Sequence, residues 1–464
     1  MISRPDKEHQ RRPKKLRASK VEPEVTESGG PLGDLLAPLA PETFTAEYWG
    51  RQALFIKGSP QKLQLLFPGG FQRADLQRAI REAAARNIAD FEVKAGKHQS
   101  RYSAFHNDEP PSFPVIQTAQ IEATLTEGSN IRADNICDER VARFAAAVKA
   151  QLNHPGKIRI YTSLSSQGYG WPAHLDPTSV IFIQCEGRKR FLISPSPVFP
   201  WPRVSALLSS DGAGQFGDDI EPWEEIQGVK MGDLTEIMLE PGDILYLPPG
   251  TVHVTEALSD PTLSLFLVFE HRNFLDLIRP VLERMLLDNP NWRHLPPISA
   301  PGMNSGKLPS EAKDFFADRL VELREALNAL DPNSLELNRE WQKMIADPGE
   351  SIISSLSMSS SEAGNRPVHR KEILRLSRKA PRTLAEGIDS NGDHYCYLYF
   401  ANQEASVAEE WIPFLKTMVE TERFAAESAT EWAADGERYP WETVQEYLQV
   451  LLERGLLERE VDNR

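Results

Sequence analysis

The pattern of apolar and polar residues changes along the chain, and the changes predict its elements. Between residues 31 and 153 apolar residues recur at helical spacing, as in the stretch 138–153, where Asp138 is a candidate N-cap. From 157 to 271 short apolar runs replace this spacing, separated by Gly, Pro and Asp; the runs are IRIYTSL, SVIFIQCEG, KRFLISP, DILYLPP and TLSLFLVFE. Runs of this kind are typical of an all-β barrel or jelly roll.

Helical spacing returns after the predicted barrel, in FLDLIRPVLERMLL and EAKDFFADRLVELREALNAL. A Ser- and Gly-rich stretch follows, which we expect to be a linker. The C-terminal part mixes helices with short strands and ends in a helix, Gly455 and the run LLERE, an order compatible with a winged-helix-like module. The predicted organisation is a disordered basic tail (1–30), a mainly β domain with helical additions (31–272), a helical region (273–346), a linker (347–367) and a C-terminal module (368–464).

Composition limits the classes of function. The chain has 464 residues, of which 40% are hydrophobic and 26% charged, as in soluble globular proteins. Its net charge of -15 favours basic partners and argues against direct binding of nucleic acid. Cys137, Cys185 and Cys396 form no CxxC motif, so neither a disulfide framework nor a zinc–thiolate site is expected, which fits the cytoplasm. No apolar run approaches the roughly 20 residues of a membrane span.

The N-terminal segment MISRPDKEHQRRPKKLRASK is basic and lacks the apolar core of a signal peptide. We expect it to be a disordered tail. Two roles remain open for it: a contact with nucleic acid or a ribosome, or no role beyond solvation.

Two histidines and one aspartate stand where a metal site could form. His174 and Asp176 lie two positions apart in WPAHLDP, and residues i and i+2 of a strand point to the same side. The best third ligand is His253, which follows the strand and tight turn of PGDILYLPPG. Two histidines and one carboxylate on one face of an octahedral ion leave three positions open for a cosubstrate and O2. The alternatives are an ordinary polar role for His174 and a turn-capping role for His253.

Such an iron site needs an electron source, commonly 2-oxoglutarate, whose distal carboxylate requires a fixed cation. The hairpin that follows the first two candidate ligands offers three cations in GRKRFLIS. Lys189 lies on one face of the returning strand and Arg188 and Arg190 lie on the other, so one basic residue could point inward while at least two are solvated. Tyr161, on the preceding strand, could donate its hydroxyl to the same carboxylate.

The three motifs together resemble those of the JmjC oxygenases, which are Fe(II)- and 2-oxoglutarate-dependent enzymes of the cupin superfamily. The motifs are H-x-D, F-x-Q-x-x-G-x-K-R and P-G-D-x-L-Y-x-P-x-G-x-x-H. The stretch FTAEYWGRQALFIKG resembles the opening segment of the ribosomal-oxygenase branch, whose members hydroxylate residues of ribosomal proteins. The resemblance covers residues 31–464. It implies a double-stranded β-helix (the cupin or jelly-roll JmjC core), a helical dimerisation region and a C-terminal winged-helix-like module.

Carried over by position, the resemblance assigns roles to five residues. It makes His174, Asp176 and His253 the ligands of Fe(II), and it makes Lys189 the anchor of 2-oxoglutarate. Tyr161 falls near the hydroxyl partner of that anchor.

The chain also departs from the family pattern at two positions. Trp171 stands where some relatives have a small polar residue, and Val268 stands where some have an amide side chain near the cosubstrate. Ser264 or Thr255 could substitute for that amide as a cosubstrate-binding residue.

The resulting expectation is a cytoplasmic, homodimeric hydroxylase of a protein or peptide, with a basic ribosomal protein as the leading partner, since complementary charge speeds encounter. A variant is a tailoring hydroxylase of a ribosomally synthesised peptide. A small-molecule 2-oxoglutarate oxygenase and a non-catalytic barrel that binds a partner are the alternatives. Histone demethylation is disfavoured because the cysteines cannot build a chromatin-reading zinc module. The resemblance implies hydroxylation of arginine or histidine, and nothing in the residues chooses between them.

Overall fold

The computed structural model describes residues 29–85, 90–95, 129–134, 136–207, 229, 231–297, 308–356, 366–377, 381–389, 392–401 and 403–460. The chain divides into two compact units. The first takes its described residues from the ranges 1–153, 157–271 and 348–358, and the second from 154–156, 272–347 and 359–464. The expected basic tail, 1–30, lies outside the described residues except for its last two glycines.

The first unit contains two antiparallel sheets. Its described strands are β1 (Leu54–Ile56), β2 (Asp90–Ala95), β3 (Ser129–Asp134), β4 (Ile158–Ser165), β5 (His174–Leu175), β6 (Ser179–Glu186), β7 (Lys189–Ile193), β8 (Ala206–Leu207), β9 (Thr235–Leu239), β10 (Ile244–Leu247), β11 (His253–Ala257) and β12 (Thr262–Phe269). One sheet has the order β1-β10-β6-β12-β4-β3-β2, and the other has the order β8-β5-β11-β7-β9. The short punctuated runs of the sequence therefore form a cupin-type antiparallel core, as predicted.

Successive residues of the central strands β6 and β12 belong to two different apolar clusters, one on each face of the larger sheet. Ile181 and Leu265 belong to a cluster that includes the helices of the unit. Phe182 and Phe266, one residue further on, belong to a second cluster together with Phe191 of the other sheet. Because successive residues of a strand point to opposite faces, the second cluster marks the interior between the two sheets. This interior is where the inward-pointing polar residues of the sequence converge.

Helices cover the outer face of the larger sheet. They are α1 (Gly30–Leu36), α2 (Pro41–Thr43), α3 (Pro60–Leu66), α4 (Arg73–Ala85) and α5 (Glu139–Gln151). The Asp138 carboxylate accepts hydrogen bonds from the backbone N–H groups of Arg140 and Val141, which confirms the predicted N-cap of α5.

The helical region of the second unit contains α6 (Phe274–Leu287), α7 (Ser310–Ala329) and α8 (Leu335–Ala346). Asn273 begins α6 in a reciprocal capping box with Asp276. Arg284 on α6 donates to the Glu340 carboxylate on α8 at 2.6 Å, and this carboxylate is nearly buried. The helical periodicity of this region is therefore confirmed.

The expectation that residues 347–367 form a linker was wrong for part of the stretch. Residues Glu350–Leu356 form helix α9, and Ile352 and Leu356 are buried in the core of the first unit. Ser355 donates its hydroxyl hydrogen to the carbonyl oxygen of Ser351, one turn earlier, at 2.7 Å. Serines that satisfy their hydroxyls within the helix can be buried, so a Ser-rich composition does not exclude core packing.

The C-terminal part of the second unit contains β13 (Ile373–Leu376), β14 (Arg382–Ile388), β15 (His394–Phe400), β16 (Gln403–Ala408), α10 (Ile412–Thr421), β17 (Arg423–Ala425), α11 (Trp441–Glu453) and β18 (Leu457–Arg459). The strands form two antiparallel sheets, β17-β13-β18 and β14-β15-β16. Gly455, at φ +76°, follows the end of α11, and the chain then enters β18, as the helix–glycine–strand pattern predicts. Among the helices described here, none has the length and apolar character that a membrane crossing requires.

Candidate metal centre

His174 and His253 are paired across the smaller sheet. They are direct partners in the register of β5 and β11, and their ring centroids lie 4.0 Å apart. The sequence suggested that His174 and Asp176 lie on one strand. Strand β5 is only two residues long, however, so Asp176 lies just after it. The chain leaves the sheet here because Pro177 follows and has no N–H to donate. The carbonyl oxygen of Asp176 instead accepts a hydrogen bond from Gly250 N at 2.8 Å.

Each histidine uses its Nδ1 atom for a backbone hydrogen bond. His174 Nδ1 lies 2.7 Å from the carbonyl oxygen of Pro172, and His253 Nδ1 lies 3.0 Å from that of Thr251. A carbonyl oxygen only accepts, so both Nδ1 atoms carry the hydrogen and both Nε2 atoms keep a free lone pair. This tautomer is the one that a metal-binding imidazole needs.

The two Nε2 atoms and one carboxylate oxygen converge. Asp176 Oδ2 lies 3.6 Å from His174 Nε2 and 3.8 Å from His253 Nε2, and ligand atoms of all three residues lie within 4.8 Å of one another. An ion about 2.1 Å from each of three facial ligands would separate neighbouring ligand atoms by about 3 Å. Small side-chain movements would therefore complete a two-histidine, one-carboxylate site, and the donor set fits a first-row divalent ion.

Electrostatics keeps His253 and Asp176 in the protonation states that metal ligands need. Burial lowers the pKa of His253 to about 3, with a further contribution from neighbouring His174, so His253 is neutral at ordinary pH. Burial alone would raise the pKa of Asp176, but the nearby histidines and a hydrogen bond from Ser205 outweigh it and leave the pKa lowered. Asp176 is therefore an anion beside the neutral imidazole of His253.

Trp171 is held beside the first histidine by β11. Its backbone N–H donates to Thr255 Oγ1 at 2.9 Å, and its carbonyl oxygen accepts from Thr255 N at 3.0 Å. The preceding Gly170 approaches the Thr255 carbonyl oxygen so closely that an added Cβ would lie 1.9 Å from it. The Trp171 ring centroid lies 6.4 Å from that of His174. Trp171, one of the two departures from the family pattern, therefore lies next to the candidate metal ligands.

Lys189 lies in the interior, so the inward face of β7, which the sequence pattern left open, is the one that carries Lys189. Its side chain is fully buried, whereas Arg188 is exposed and Arg190 pairs with Glu236 at 3.1 Å. Lys189 Nζ donates to Ser163 Oγ at 3.2 Å. Within the described part of the chain, no carboxylate lies within ion-pair distance of this ammonium. Burial lowers the pKa of Lys189 to about 7, so a buried cation is held here without a matching anion.

Asn130 is a further polar residue of the interior, and the sequence reasoning missed it. Its Oδ1 accepts hydrogen bonds from Ser163 Oγ at 2.9 Å and Ser165 Oγ at 2.6 Å. Its Nδ2 is buried and has no hydrogen-bond partner among the described residues. A signal existed in the alternation of polar residues in SNIRAD on β3, but this stretch matches no motif. Asn130 therefore adds an unused donor to the Lys189 cluster.

Tyr161 and Ser264 also face the interior. Burial raises the pKa of Tyr161 to about 12, so its hydroxyl keeps its proton, and the guanidinium carbon of Arg132 lies 4.4 Å from its ring centroid. Ser264 is opposite Ser163 in the register of β12 and β4, and its hydroxyl donates to Gln184 Oε1 at 2.8 Å. Both residues thus line the predicted cosubstrate region. The hydroxyl hydrogen of Ser264 is already donated to Gln184.

Comparison with known proteins gives one family match and several distant relatives. The family model described as the JmjC domain matches residues 135–277. The bifunctional lysine-specific demethylase and histidyl-hydroxylase NO66 of Drosophila mojavensis is 26% identical over 326 residues, which is 65% of this chain and 33% of that protein. Ribosomal oxygenase 1 of Homo sapiens is 28% identical over 265 residues, which is 53% of this chain and 36% of that protein.

A bacterial relative matches over most of its length. The uncharacterized protein YxbC of Bacillus subtilis (strain 168) is 23% identical over 322 residues, which is 67% of this chain and 91% of that protein. The two animal relatives are matched over only about a third of their length. Among solved structures, YcfD, a ribosomal oxygenase from Escherichia coli in complex with cobalt and succinic acid, has a TM-score of 0.50 and 16% identity, and the match covers 91% of this chain and 99% of that one. This likeness concerns the fold.

Proposed function

We propose, from the match of residues 135–277 to the family model described as the JmjC domain, that the protein is an Fe(II)- and 2-oxoglutarate-dependent oxygenase that hydroxylates a side chain of a protein or peptide. The observation that carries the proposal is the convergence of two imidazole Nε2 atoms and one carboxylate oxygen within 4.8 Å. Because each histidine has its Nδ1 occupied by a backbone carbonyl oxygen, the lone pairs of both Nε2 atoms are available to a metal ion.

His174, Asp176 and His253 would hold the iron, and Lys189 would bind the distal carboxylate of 2-oxoglutarate. Iron and cosubstrate together supply the oxidation, in which one oxygen atom of O2 enters a C–H bond of the substrate and the other enters succinate, formed with CO2 from 2-oxoglutarate. Lys189 and the metal ligand His253 share the inner face of paired strands β7 and β11, four residues apart along the strands, or about 13 Å. A dicarboxylate bound to the ion at one end would extend along this inner face towards the ammonium of Lys189.

The interior supplies the other contacts that a buried dicarboxylate needs. The unpartnered Nδ2 of Asn130 and the protonated hydroxyl of Tyr161 are donors on the same interior face as Lys189. Ser264, with its hydrogen given to Gln184, would act only as an acceptor or through a rotated hydroxyl. The apolar rings of Phe191 and Phe266 around the ammonium exclude water from the site.

A basic ribosomal protein is the substrate that we propose. The net charge of -15 favours encounter with a basic chain. Relatives named ribosomal oxygenase and a solved E. coli ribosomal oxygenase of similar fold support the same class. The cobalt and succinic acid of that E. coli structure are a metal ion and the co-product that the proposed reaction releases. We place the reaction in the cytoplasm, which fits the three buried cysteines of the chain, none of which forms a disulfide.

We also propose that the helical region, 273–346, joins two copies of the chain. Large apolar side chains on α6 and α7 are exposed in the single chain, among them Phe274, Leu275, Phe316 and Leu320. No residue of α7 is buried, although the helix is 20 residues long. Covering these side chains with the same region of a second copy would remove them from water.

The C-terminal module, 368–464, is proposed to be winged-helix-like. Helix α11 leads through Gly455 into β18, and β18 pairs with β13 in a small antiparallel sheet. This order of helix, turn and sheet supports the assignment. Its role would be to contact the substrate chain.

Mass spectrometry tests the function directly. The full chain, loaded with Fe(II) and 2-oxoglutarate, is incubated with ribosomal proteins, with short cellular peptides and with a small-molecule extract, each from cells that lack it. We expect a gain of one oxygen atom on a ribosomal protein, absent with the His174→Ala variant. A gain confined to the peptides or to the small molecules would overturn the ribosomal substrate. No gain in any fraction, with no succinate formed, would overturn the oxygenase.

A further inference from the structure

The two oxygens of Asp176 have different partners. Oδ2 faces the imidazoles, at 3.6 Å from His174 Nε2 and 3.8 Å from His253 Nε2. Oδ1 points the other way and accepts a hydrogen bond from Ser205 Oγ at 2.8 Å. One carboxylate is thus divided between a metal-facing oxygen and an oxygen held by a hydroxyl.

The position of Ser205 is fixed by β8, which begins at the next residue. Leu207 pairs with His174 and Ala206 pairs with Leu175, so β8 forms the edge of the sheet beside the first metal ligand. Ala206 is buried in a cluster with Leu175 and Val252, the residue that precedes His253. The serine is therefore anchored to both segments that carry the histidines, although its own side chain is solvent-accessible.

The chain before Ser205 is attached to the same place. Val198 N donates to the carbonyl oxygen of Gly250 at 2.9 Å, and Gly250 N donates to the carbonyl oxygen of Asp176 at 2.8 Å. Gly250 has φ +78°, and a Cβ there would lie 1.8 Å from the Phe199 carbonyl oxygen, so only glycine allows this approach. The segment 198–207 thus contacts the Asp176 side chain through Ser205 and is linked to the Asp176 backbone through Gly250.

We propose that Ser205 is a positioning residue that reserves Oδ1 of Asp176, so that the carboxylate offers the metal Oδ2 alone. This inference rests on the proposed function. A carboxylate can bind a metal through one oxygen or through both, and binding through both would fill a fourth of the six octahedral positions. Only two would then remain, whereas a bidentate keto acid and O2 need three. The Ser205 hydroxyl keeps the third position open by holding Oδ1 away from the metal.

The test measures Co(II) binding to the full chain without cosubstrate or turnover. Ser205→Ala removes the hydroxyl, Ser205→Thr retains it, and Ser196→Ala is a matched control on another exposed serine of the same loop. We expect Ser205→Ala to change the visible spectrum of bound Co(II), which follows coordination number and geometry, because Oδ1 is then free to become a further ligand. Ser205→Thr and Ser196→Ala should keep the wild-type affinity and spectrum.

The outcomes separate the inference from the proposed function. A wild-type spectrum in Ser205→Ala would overturn the positioning role while leaving the metal site intact. A changed Co(II) spectrum in Ser205→Thr as well would show that the serine acts through packing and not through its hydroxyl. This result would also overturn the inference. Failure of the wild-type chain itself to bind Co(II) would overturn the proposed metal site. The melting temperature of each metal-free variant shows whether it is folded.

Discussion

Lys189 and Asn130 are joined through one hydroxyl group. Ser163 Oγ accepts from Lys189 Nζ at 3.2 Å and donates to Asn130 Oδ1 at 2.9 Å. A buried ammonium and a buried amide thus lie at the two ends of one hydrogen-bond chain, and the amide Nδ2 has no acceptor among the described residues. Buried donors without acceptors are costly, so we expect this cluster to bind an anion that accepts their hydrogen bonds.

The first prediction concerns the affinity for 2-oxoglutarate and its pH dependence. Burial lowers the pKa of Lys189 to about 7, and only the protonated form attracts a carboxylate. Affinity should therefore fall as pH rises from about 6 to about 9. Lys189→Met should bind 2-oxoglutarate about 10–100-fold more weakly near pH 6, and its affinity should change less with pH. Calorimetric titration with Mn(II) in place of iron measures both. Equal slopes in the two proteins would exclude Lys189 as the titrating anchor.

The same substitution should stabilise the protein when no cosubstrate is present. The pKa of Lys189 is lower in the folded chain, at about 7, than the ordinary 10.5 of the unfolded chain. The full cost of the buried charge is therefore present below about pH 7 and is relieved as pH rises towards 10.5. Lys189→Met should raise the free energy of unfolding by at least about 2 kcal/mol near pH 6, and by less near pH 9. Denaturant titration at the two pH values checks this. A variant less stable than wild type near pH 6 would contradict it.

Two substitutions at Asn130 test its part in the same site. Asn130→Leu removes the unpartnered donor and should weaken 2-oxoglutarate binding by about 5–10-fold. Asn130→Asp should weaken it further, because its carboxylate would compete with the cosubstrate for the ammonium of Lys189. Affinity for Co(II) should be unchanged in both, since Asn130 is not a metal ligand. Tight cosubstrate binding by Asn130→Asp would place the anion elsewhere.

The candidate metal ligands and the candidate anchor could be named from the sequence because each lies in one of three recognisable motifs. His174, His253 and Lys189 occupy the inward positions that alternation gives them. Asn130 and Ser205 could not be found in this way, since each reaches the site through a contact distant in sequence. Ser205 lies in a loop whose own pattern contains no periodicity, and its place depends on the pairing of β8 with β5.

The helix α9 shows a different limit of the sequence. Its composition predicted a linker, yet the described chain returns at 348–356 to the core of the first unit. Pro348 accepts a hydrogen bond from Ile158 N at 3.2 Å, at the start of β4. A Ser-rich composition indicates hydroxyl groups that are costly to bury. It does not show which hydrogen-bond acceptors these hydroxyls will find in the folded chain.

The fourth prediction concerns the affinity of the site for a metal ion. His174→Ala removes one of three ligands and should weaken Co(II) binding by at least about 100-fold, because two ligands cannot hold the facial geometry. His294→Ala, which changes an exposed histidine of the second unit, is the control and should bind as wild type does. Titration followed by the visible absorption of Co(II) measures both. Unchanged affinity in His174→Ala would remove His174 from the ligand set.

The fifth prediction concerns the proposed dimer. Leu320 on α7 is 59% exposed in the single chain, so Leu320→Glu should leave the folded chain intact. In a symmetric dimer each substitution acts twice, and each buried leucine contributes about 1.5–3 kcal/mol, with the burial of a charge added to that loss. Analytical ultracentrifugation should show a dimer for wild type and a monomer for Leu320→Glu. Ala329→Glu adds a charge at an exposed position nine residues from Leu320, on the opposite side of α7, and should remain dimeric. A monomeric wild type, or a Leu320→Glu variant that stays dimeric, would show that this face does not join two copies.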